Sequence, residues 1–398
     1  MFCRVGGARH TTKTGYRDEM RGSIAIWHDT LADDANGYAP RVEVHINIWK
    51  GERRSAKRRF HLLDIGFRFQ EMRSLRTLSI SLPFEIQSDH IFDLFDVMHD
   101  SSTLSAIFNE TLSAGEVQEN GKTFAALNEP KKVQFYVSRC SRDDRSLTTI
   151  GKGGDAGSVI MLRDQFFDRM RAKIGDQYIR LRIRVPFHIM NGFVSEVDAK
   201  DSAFLSTIST SEIVEFRLNE RRNFSAAILE RLSGGADLID VSAVHYFLIR
   251  DMTVEMTQSH TGFKKMRRLE PEIWERYLRD EPQFNAQNMI IYHWSSVAPP
   301  QSTVDSFTAL ATFRAYYTGR LWIYALVVVA LGAMGSASQA GLAALVGMLW
   351  EIKDPWQAAA VNAAIFFFLV FLLFFIVRFG RRWSNPLEWV IGFFSARR

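Results

Sequence analysis

Cysteine is scarce in this chain: Cys3 and Cys140 are the only two in 398 residues. Two thiols so far apart exclude a disulfide framework and a four-thiolate zinc site, and they fit a reducing compartment. Short catalytic signatures are missing too, since no Gly-x-Ser-x-Gly, His-Glu-x-x-His or paired-cysteine motif occurs. The expectation is a protein that is not an enzyme and carries no metal or cofactor. Residues 1–21 are polar and charged with no apolar core, so no secretory signal is expected. The formal charge of +5 is mild; it permits attraction to anionic partners without requiring it.

In one stretch it is charge that is lacking. Residues 321–350 contain no Asp, Glu, Lys or Arg. A helix over that run would extend about 45 Å, against about 30 Å of bilayer hydrocarbon. A short polar connector around Lys353, Asp354 and Pro355 follows, and residues 358–377 then form a second apolar run rich in phenylalanine, with Asn362 its one polar exception. Together 321–377 predict two transmembrane helices with a short outside connector. Arg314 and Arg320 precede the pair and Arg378, Arg381 and Arg382 follow it, which places both termini in the cytoplasm. Residues 385–398 carry Trp389, Ile391, Phe393 and Phe394 between basic flanks and predict an interfacial helix.

On the first of these helices Gly332, Ser336, Gln339, Ala343 and Gly347 share one stripe. Small and polar residues at that depth either let helices approach closely or line a pore. Both readings call for a homo-oligomer in the lipid bilayer, because two helices alone cannot shelter such a face.

Ahead of the apolar runs, period-two alternation dominates. Val42, Val44, Ile46 and Ile48 alternate with polar neighbours, as do Ile65, Phe67 and Phe69, and Leu78, Ile80 and Leu82. Similar segments recur at 133–137, 179–185, 214–218, 241–249 and 289–294. These read as half-buried antiparallel strands, interrupted by helices at 88–98, 163–174 and 270–280. The fold class expected is a β-rich (α+β) cytoplasmic domain, sandwich- or barrel-like, followed by the two-helix transmembrane region. Its parts are a poorly structured 1–40, β-rich lobes at 41–150 and 159–298 divided by the glycines of 151–157, and a juxtamembrane helix at 303–320.

Two cationic groups are the candidate ligand sites. Lys50, Arg53, Arg54, Lys57, Arg58 and Arg59 crowd one loop, where such density repels itself unless solvated or bound to an anion. Arg180, Arg182 and Arg184 alternate with Leu181, Ile183 and Val185, so three guanidinium groups share one strand face at about 7 Å intervals, close to the phosphate spacing of an extended single strand. Carboxylates on neighbouring strands, such as Glu215, would instead make the row structural. Lys264, Lys265, Arg267 and Arg268 read as a solvated helix start. Lys152 precedes Gly153 rather than Ser or Thr, so the glycine-rich segment is a linker and not a phosphate loop. The segment 89–100, with His90 and His99, offers metal-ligand types, but Ile91, Leu94, Phe95 and Met98 form an ordinary core face on the same helix.

In outline, a cytoplasmic β-rich domain joined to a short transmembrane bundle resembles the membrane effectors of bacterial anti-phage defence, among them the nucleic-acid-gated channel subunit of Hailong systems. The resemblance is architectural and carries over no functional residue. It implies an effector in the bacterial inner membrane, a nucleotide or single-stranded oligonucleotide as ligand, and a nucleotidyltransferase encoded alongside. The expected function is an oligomeric pore gated through the soluble domain; the alternative is a membrane-anchored binding or scaffold protein without conductance.

Overall fold

Each alternating segment has one apolar face that must be removed from water, and stacking sheets is the way strands achieve it. The computed structural model describes residues 22–31, 39–51, 60–118, 121–151, 156–187, 192–197, 209–316, 321–349 and 354–379. They fall into two units, Met1–Tyr316 and Tyr317–Arg398.

The first unit is β-rich and holds three sheets. The largest runs β17 (Lys265–Arg268), β18 (Met289–Val297), β15 (Asp240–Asp251), β2 (Arg41–Trp49), β3 (Phe60–Glu71), β11 (Gln177–Pro186), β8 (Lys132–Ser138), β7 (Thr123–Asn128) and β6 (Ser113–Ala114), and β5 (Ile91–Asp93) also pairs with β11. A five-stranded sheet orders β14 (Asp237–Leu238), β1 (Ala25–Thr30), β4 (Leu75–Leu82), β10 (Gly157–Leu162) and β9 (Arg145–Ile150). A four-stranded sheet orders β12 (Val194–Val197), β13 (Ser209–Leu218), β19 (Phe307–Tyr316) and β16 (Val254–Ser259). Pairing is antiparallel except for β2 with β15 and β8 with β11.

One face of the ten-stranded sheet is apolar. Val44, Ile46, Phe67, Ile179, Leu181 and Ile183 are buried there in a single core with Ile80 of β4 and with Phe216 and Phe313 of the four-stranded sheet. Each such side chain contributes about 1.5–3 kcal/mol on burial, so the three sheets are held together by one shared interior. On the opposite face, α1 (Phe95–Met98), α2 (Ser101–Phe108) and, later in the chain, a helix over Pro271–Tyr277 cover a second cluster that includes Trp49, Leu62, Leu104 and Trp274. Between them in sequence, α3 (Asp164–Arg171) adds Phe166, Phe167 and Met170 to the main core, and α4 (Ala226–Ser233) packs Ile228 in a small cluster with Trp27. The helix over Pro271–Tyr277 is α5.

Several sequence expectations are corrected. The juxtamembrane helix expected at 303–320 is not formed by its described part, 303–316: Phe307, Ala309, Ala311 and Phe313 are buried on β19, which pairs with β13 and β16. The lobes do not divide at 151–157, because β2 and β3 pair with β15 and β11 across that point and β9 and β10 form a hairpin there. Nor is the beginning of the chain uniformly irregular, since Ala25–Thr30 lies in a sheet between β4 and β14. Residues 88–98 break into a single 3-10 turn, β5 and α1, as Ile91, Phe92 and Asp93 pair with β11 instead of continuing a helix. Lys265–Arg268 is an edge strand on β18, not a helix start. The expected interfacial helix at 385–398 lies outside the described residues.

In the second unit, α6 (Leu321–Leu349) and α7 (Pro355–Phe379) touch each other. Within α6, the 22 residues Val328–Leu349 are long and apolar enough to cross a membrane. Gly332, Ser336 and Gly347 are exposed, whereas Gln339 and Ala343 are partly covered together with Leu342 and Val346. On α7, Ala358, Val361 and Ile365 are covered at the same helical spacing. The stripe is thus split: two of its five members lie on the side of α6 that is packed.

Candidate functional site

The polar face of the ten-stranded sheet is built by register. On β2 the outward set is Glu43, His45, Asn47 and Trp49; on β3 the residues opposite are Arg68, Gly66, Asp64 and Leu62. On β11 these in turn face Tyr178, Arg180, Arg182 and Arg184. On the other flank, β15 sets His245 beside His45 and Phe247 beside Asn47, and β18 sets His293 opposite Phe247. β17 places Lys265 opposite His293. Period-two geometry puts all of these on one side.

At one end of the face lies the arginine row, and it is closed. Arg180 and Arg182 are 1% and 3% exposed. Arg182 forks onto Asp64, with Nε to Oδ1 at 2.8 Å and Nη2 to Oδ2 at 3.1 Å, and the Trp49 indole and Tyr277 hydroxyl donate to the same carboxylate at 2.9 and 2.6 Å. Burial would raise the Asp64 carboxyl, but the Arg182 charge and its hydrogen bonds bring it below the usual range. Arg180 donates to the hydroxyls of Tyr277 and Tyr178, both at 2.8 Å. Arg184 donates to Glu281 at 2.7 Å. The expected oligonucleotide ladder is therefore an internal network under α5: Asp64 from the next strand, with Glu281 and Tyr277 from the segment around that helix, supplies what the row needs. Glu215 is not the partner, being paired with Arg217.

Lys50 is likewise removed from the loop cluster. It is 7% exposed and its ammonium lies 3.1 Å from Glu212 Oε1 on β13. Arg250 Nη2 approaches Glu212 Oε2 to 2.8 Å, a charge pair outside good hydrogen-bond alignment. This triad ties the four-stranded sheet to the large one. Arg53, Arg54, Lys57, Arg58 and Arg59 lie outside the described residues.

The other end of the polar face opens into a cavity of about 410 Å³. Its floor is Glu43, His45, His245 and His293, its walls include Phe108, Phe247, Trp274 and Ile291, and Arg68, Lys264, Lys265 and Arg267 stand around it. Glu43 Oε1 lies 2.8 Å from His45 Nε2 and 3.3 Å from His245 Nε2. The far nitrogens are engaged as well: His45 Nδ1 is 3.3 Å from the Tyr178 hydroxyl and His245 Nδ1 is 3.2 Å from His293 Nε2. His293 in turn stacks on Phe247 at 4.2 Å. Burial lowers His45 to about 4 against the pull of Glu43, and burial followed by the His245 charge lowers His293 to about 3. Glu43 goes the other way. Burial would raise it, but hydrogen bonds from His245 and His45 hold it well below the ordinary carboxylate range. At neutral pH the floor therefore pairs an ionised carboxylate with neutral imidazoles at His45 and His293.

Charge around the rim is uneven. Arg68 is bound to Asp176 at 2.8 Å and Arg267 to Glu270. Lys264 and Lys265 have no ion-pair partner among the described residues. The lining offers acid–base and ion-binding groups but includes no Ser, Thr or Cys; the Cys140 thiol is buried elsewhere and pushed up to about 12 by burial. His90 and His99 do not join the cluster. The first packs its ring against Phe60 and the second contacts the Gly115 carbonyl at 3.0 Å.

Sequence reasoning placed Glu43 and His45 on the outward face of a strand but did not connect them with His245 and His293. Outward histidines on three separate strands were the available signal. Their convergence depends on the parallel pairing of β2 with β15, which no local pattern encodes.

No protein-family model matches the chain, and no curated protein matches it in sequence.

Proposed function

We propose that the chain is a membrane-tethered receptor for a small anionic ligand, bound in the cavity of its β-rich unit. The observation that carries this reading is the cavity itself, where two lysines without carboxylate partners among the described residues stand beside an aromatic wall. About 410 Å³ is the size of a pocket for a mononucleotide-scale molecule rather than for a strand of nucleic acid. Phe108 and Phe247, both partly exposed, offer aromatic surface to a base or other planar group, and Lys264 and Lys265 attract a phosphate. The ligand expected from the arginine row thus moves to a different end of the same sheet face.

The tether is α6, with α7 as a second span that returns the chain to the side it left. Arg314 before α6 and Arg378 within the last turn of α7 support a cytoplasmic position for the soluble unit under the positive-inside rule.

Titration calorimetry on the full-length chain in detergent, with inorganic phosphate and nucleoside mono- and diphosphates, tests the receptor reading. A dissociation constant that weakens with salt, and weakens at least tenfold in Lys264→Ala/Lys265→Ala, is the expected result. Saturable binding that is identical in the double variant, or no binding by any of these anions, removes the claim.

A second reading, a ligand-gated pore of the kind found in the membrane effectors the chain resembles, is favoured by Gly332, Ser336 and Gly347, small positions left exposed on α6. Such positions are available to a neighbouring copy or to a water path. Conductance in liposomes that Ser336→Leu abolishes supports it; absence of conductance with ligand present leaves the receptor as a tethered binding protein.

A further inference from the structure

The geometry points to a divalent metal site on the floor of the cavity, with Glu43, His45 and His245 as its protein ligands and zinc as the ion. The three donor groups lie within 4.8 Å of one another. Tetrahedral coordination at bond lengths of about 2.0–2.1 Å spaces donor atoms by roughly 3.3 Å. The Glu43–His245 separation of 3.3 Å already meets this, and Glu43–His45, at 2.8 Å, needs only a small opening. Two imidazoles and one carboxylate form a donor set of the type that holds zinc while leaving a fourth position for water or ligand.

Three further observations separate this from a plain hydrogen-bonded triad. Both imidazoles present Nε2 to the shared point and have a partner on Nδ1, the Tyr178 hydroxyl for His45 and His293 for His245. This is the outer arrangement that orients metal-bound histidines. Arg180 donates to the Tyr178 hydroxyl at 2.8 Å, so that oxygen is itself held in place. At the next outward position of β2, Asn47 lines the same cavity, is 4% exposed, and its Oδ1 has no hydrogen-bond partner. A buried amide oxygen left without a donor is explained by a group bound beside it, such as a metal-held water. The second carboxylate oxygen of Glu43 also makes no hydrogen bond among the described residues. A triad serving only to satisfy its own members would need neither the cavity nor the orphan oxygen.

The cations around the cavity do not oppose the site equally. Arg180 is neighboured by Asp64 and Arg68 is bound to Asp176, while Lys264 and Lys265 stand on β17 and the turn before it. The metal uses the floor and the anion the rim, so the site is independent of the receptor reading.

Full-length protein in detergent, stripped with a chelator and dialysed, is titrated with Zn²⁺ alone and with Co²⁺ alone. The expected result is one equivalent per chain by calorimetry, with the intense visible absorption of four-coordinate cobalt. Glu43→Gln and His245→Gln should each weaken binding by about 100-fold or more, and His293→Ala by about 10- to 100-fold. His45 is nearly fully buried, so His245→Gln, at a side chain 21% exposed, carries the test, with near-ultraviolet circular dichroism of the metal-free variant as the control for folding. Lys264→Ala/Lys265→Ala should leave metal affinity unchanged or slightly tighter, which separates failure of this site from failure of anion binding. No saturable uptake of either ion, or uptake by folded Glu43→Gln and His245→Gln equal to that of the parent chain, overturns the assignment.

Discussion

Asp64 and Arg182 are direct cross-strand partners on β3 and β11, joined by two parallel hydrogen bonds of 2.8 and 3.1 Å in a place that water does not reach. Tyr277 completes the unit from α5, donating its hydroxyl to Asp64 and accepting from Arg182 on its carbonyl. The pair therefore fastens the covering helix to the sheet and walls off one end of the polar face, leaving the histidine end open.

Removing either partner strands a buried charge. Asp64→Asn and Arg182→Met should each destabilise the β-rich unit by about 3–5 kcal/mol. Denaturant unfolding of the full chain, followed by tryptophan fluorescence, checks this; a loss below about 1 kcal/mol would show that the network is not holding α5.

Gly66 is the place on β3 where the Tyr178 and Arg180 side chains cross. A Cβ there would collide with the Tyr178 hydroxyl and meet its ring carbon at 2.8 Å. Gly66→Ala should lower stability by about 1–3 kcal/mol through overpacking. Part of that loss should return in Gly66→Ala/Tyr178→Phe, because the nearest clashing atom is gone. Thermal midpoints of the two variants decide it.

Glu212 provides a pH signature. Burial alone would raise it, but the charges of Arg250 and Lys50 lower it from 4.5 to about 2. A carboxyl depressed in the folded state stabilises fully above its unfolded value and loses that contribution as pH falls from 4.5 through 2. The shift corresponds to something on the order of 3 kcal/mol. Glu212→Gln should be less stable than the parent at pH 7, and the gap should close between pH 4.5 and 2. A gap that is constant with pH would mean that Glu212 is not ionised in the fold.

Truncation separates the two units. A chain ending at Tyr316 keeps every described strand and loses both apolar helices. It should remain in the supernatant after lysis without detergent, while the full chain sediments with membranes. A full chain found in the supernatant would refute the tether.

Much of the first unit was legible because burial on a sheet leaves a local trace. The alternation at Val42–Val44–Ile46–Ile48 and at Ile179–Leu181–Ile183 marked β2 and β11 and told their apolar faces from their polar ones. The same trace was present at Phe307, Ala309, Ala311 and Phe313, where proximity to the apolar run suggested a helix instead. At Ile91, Leu94, Phe95 and Met98 the spacing truly fits a helix, and pairing with β11 overrode it. Arginine spacing was read correctly, but its partners were not, since Asp64, Tyr277 and Glu281 approach from segments distant in the chain.

By itself, the order of residues determined the strands around 42–48, 65–69 and 179–185 with their apolar faces, and an uncharged run at 321–350 long enough to span a membrane as a helix, because periodicity and hydropathy act over a few neighbouring positions. Strand partnership and register were decided only in three dimensions. His45 meets His245 because β2 and β15 lie parallel and in step, and Arg182 is silent because Asp64 stands opposite. Such choices minimise the free energy of the whole core rather than of any one segment, so no window of sequence contains them.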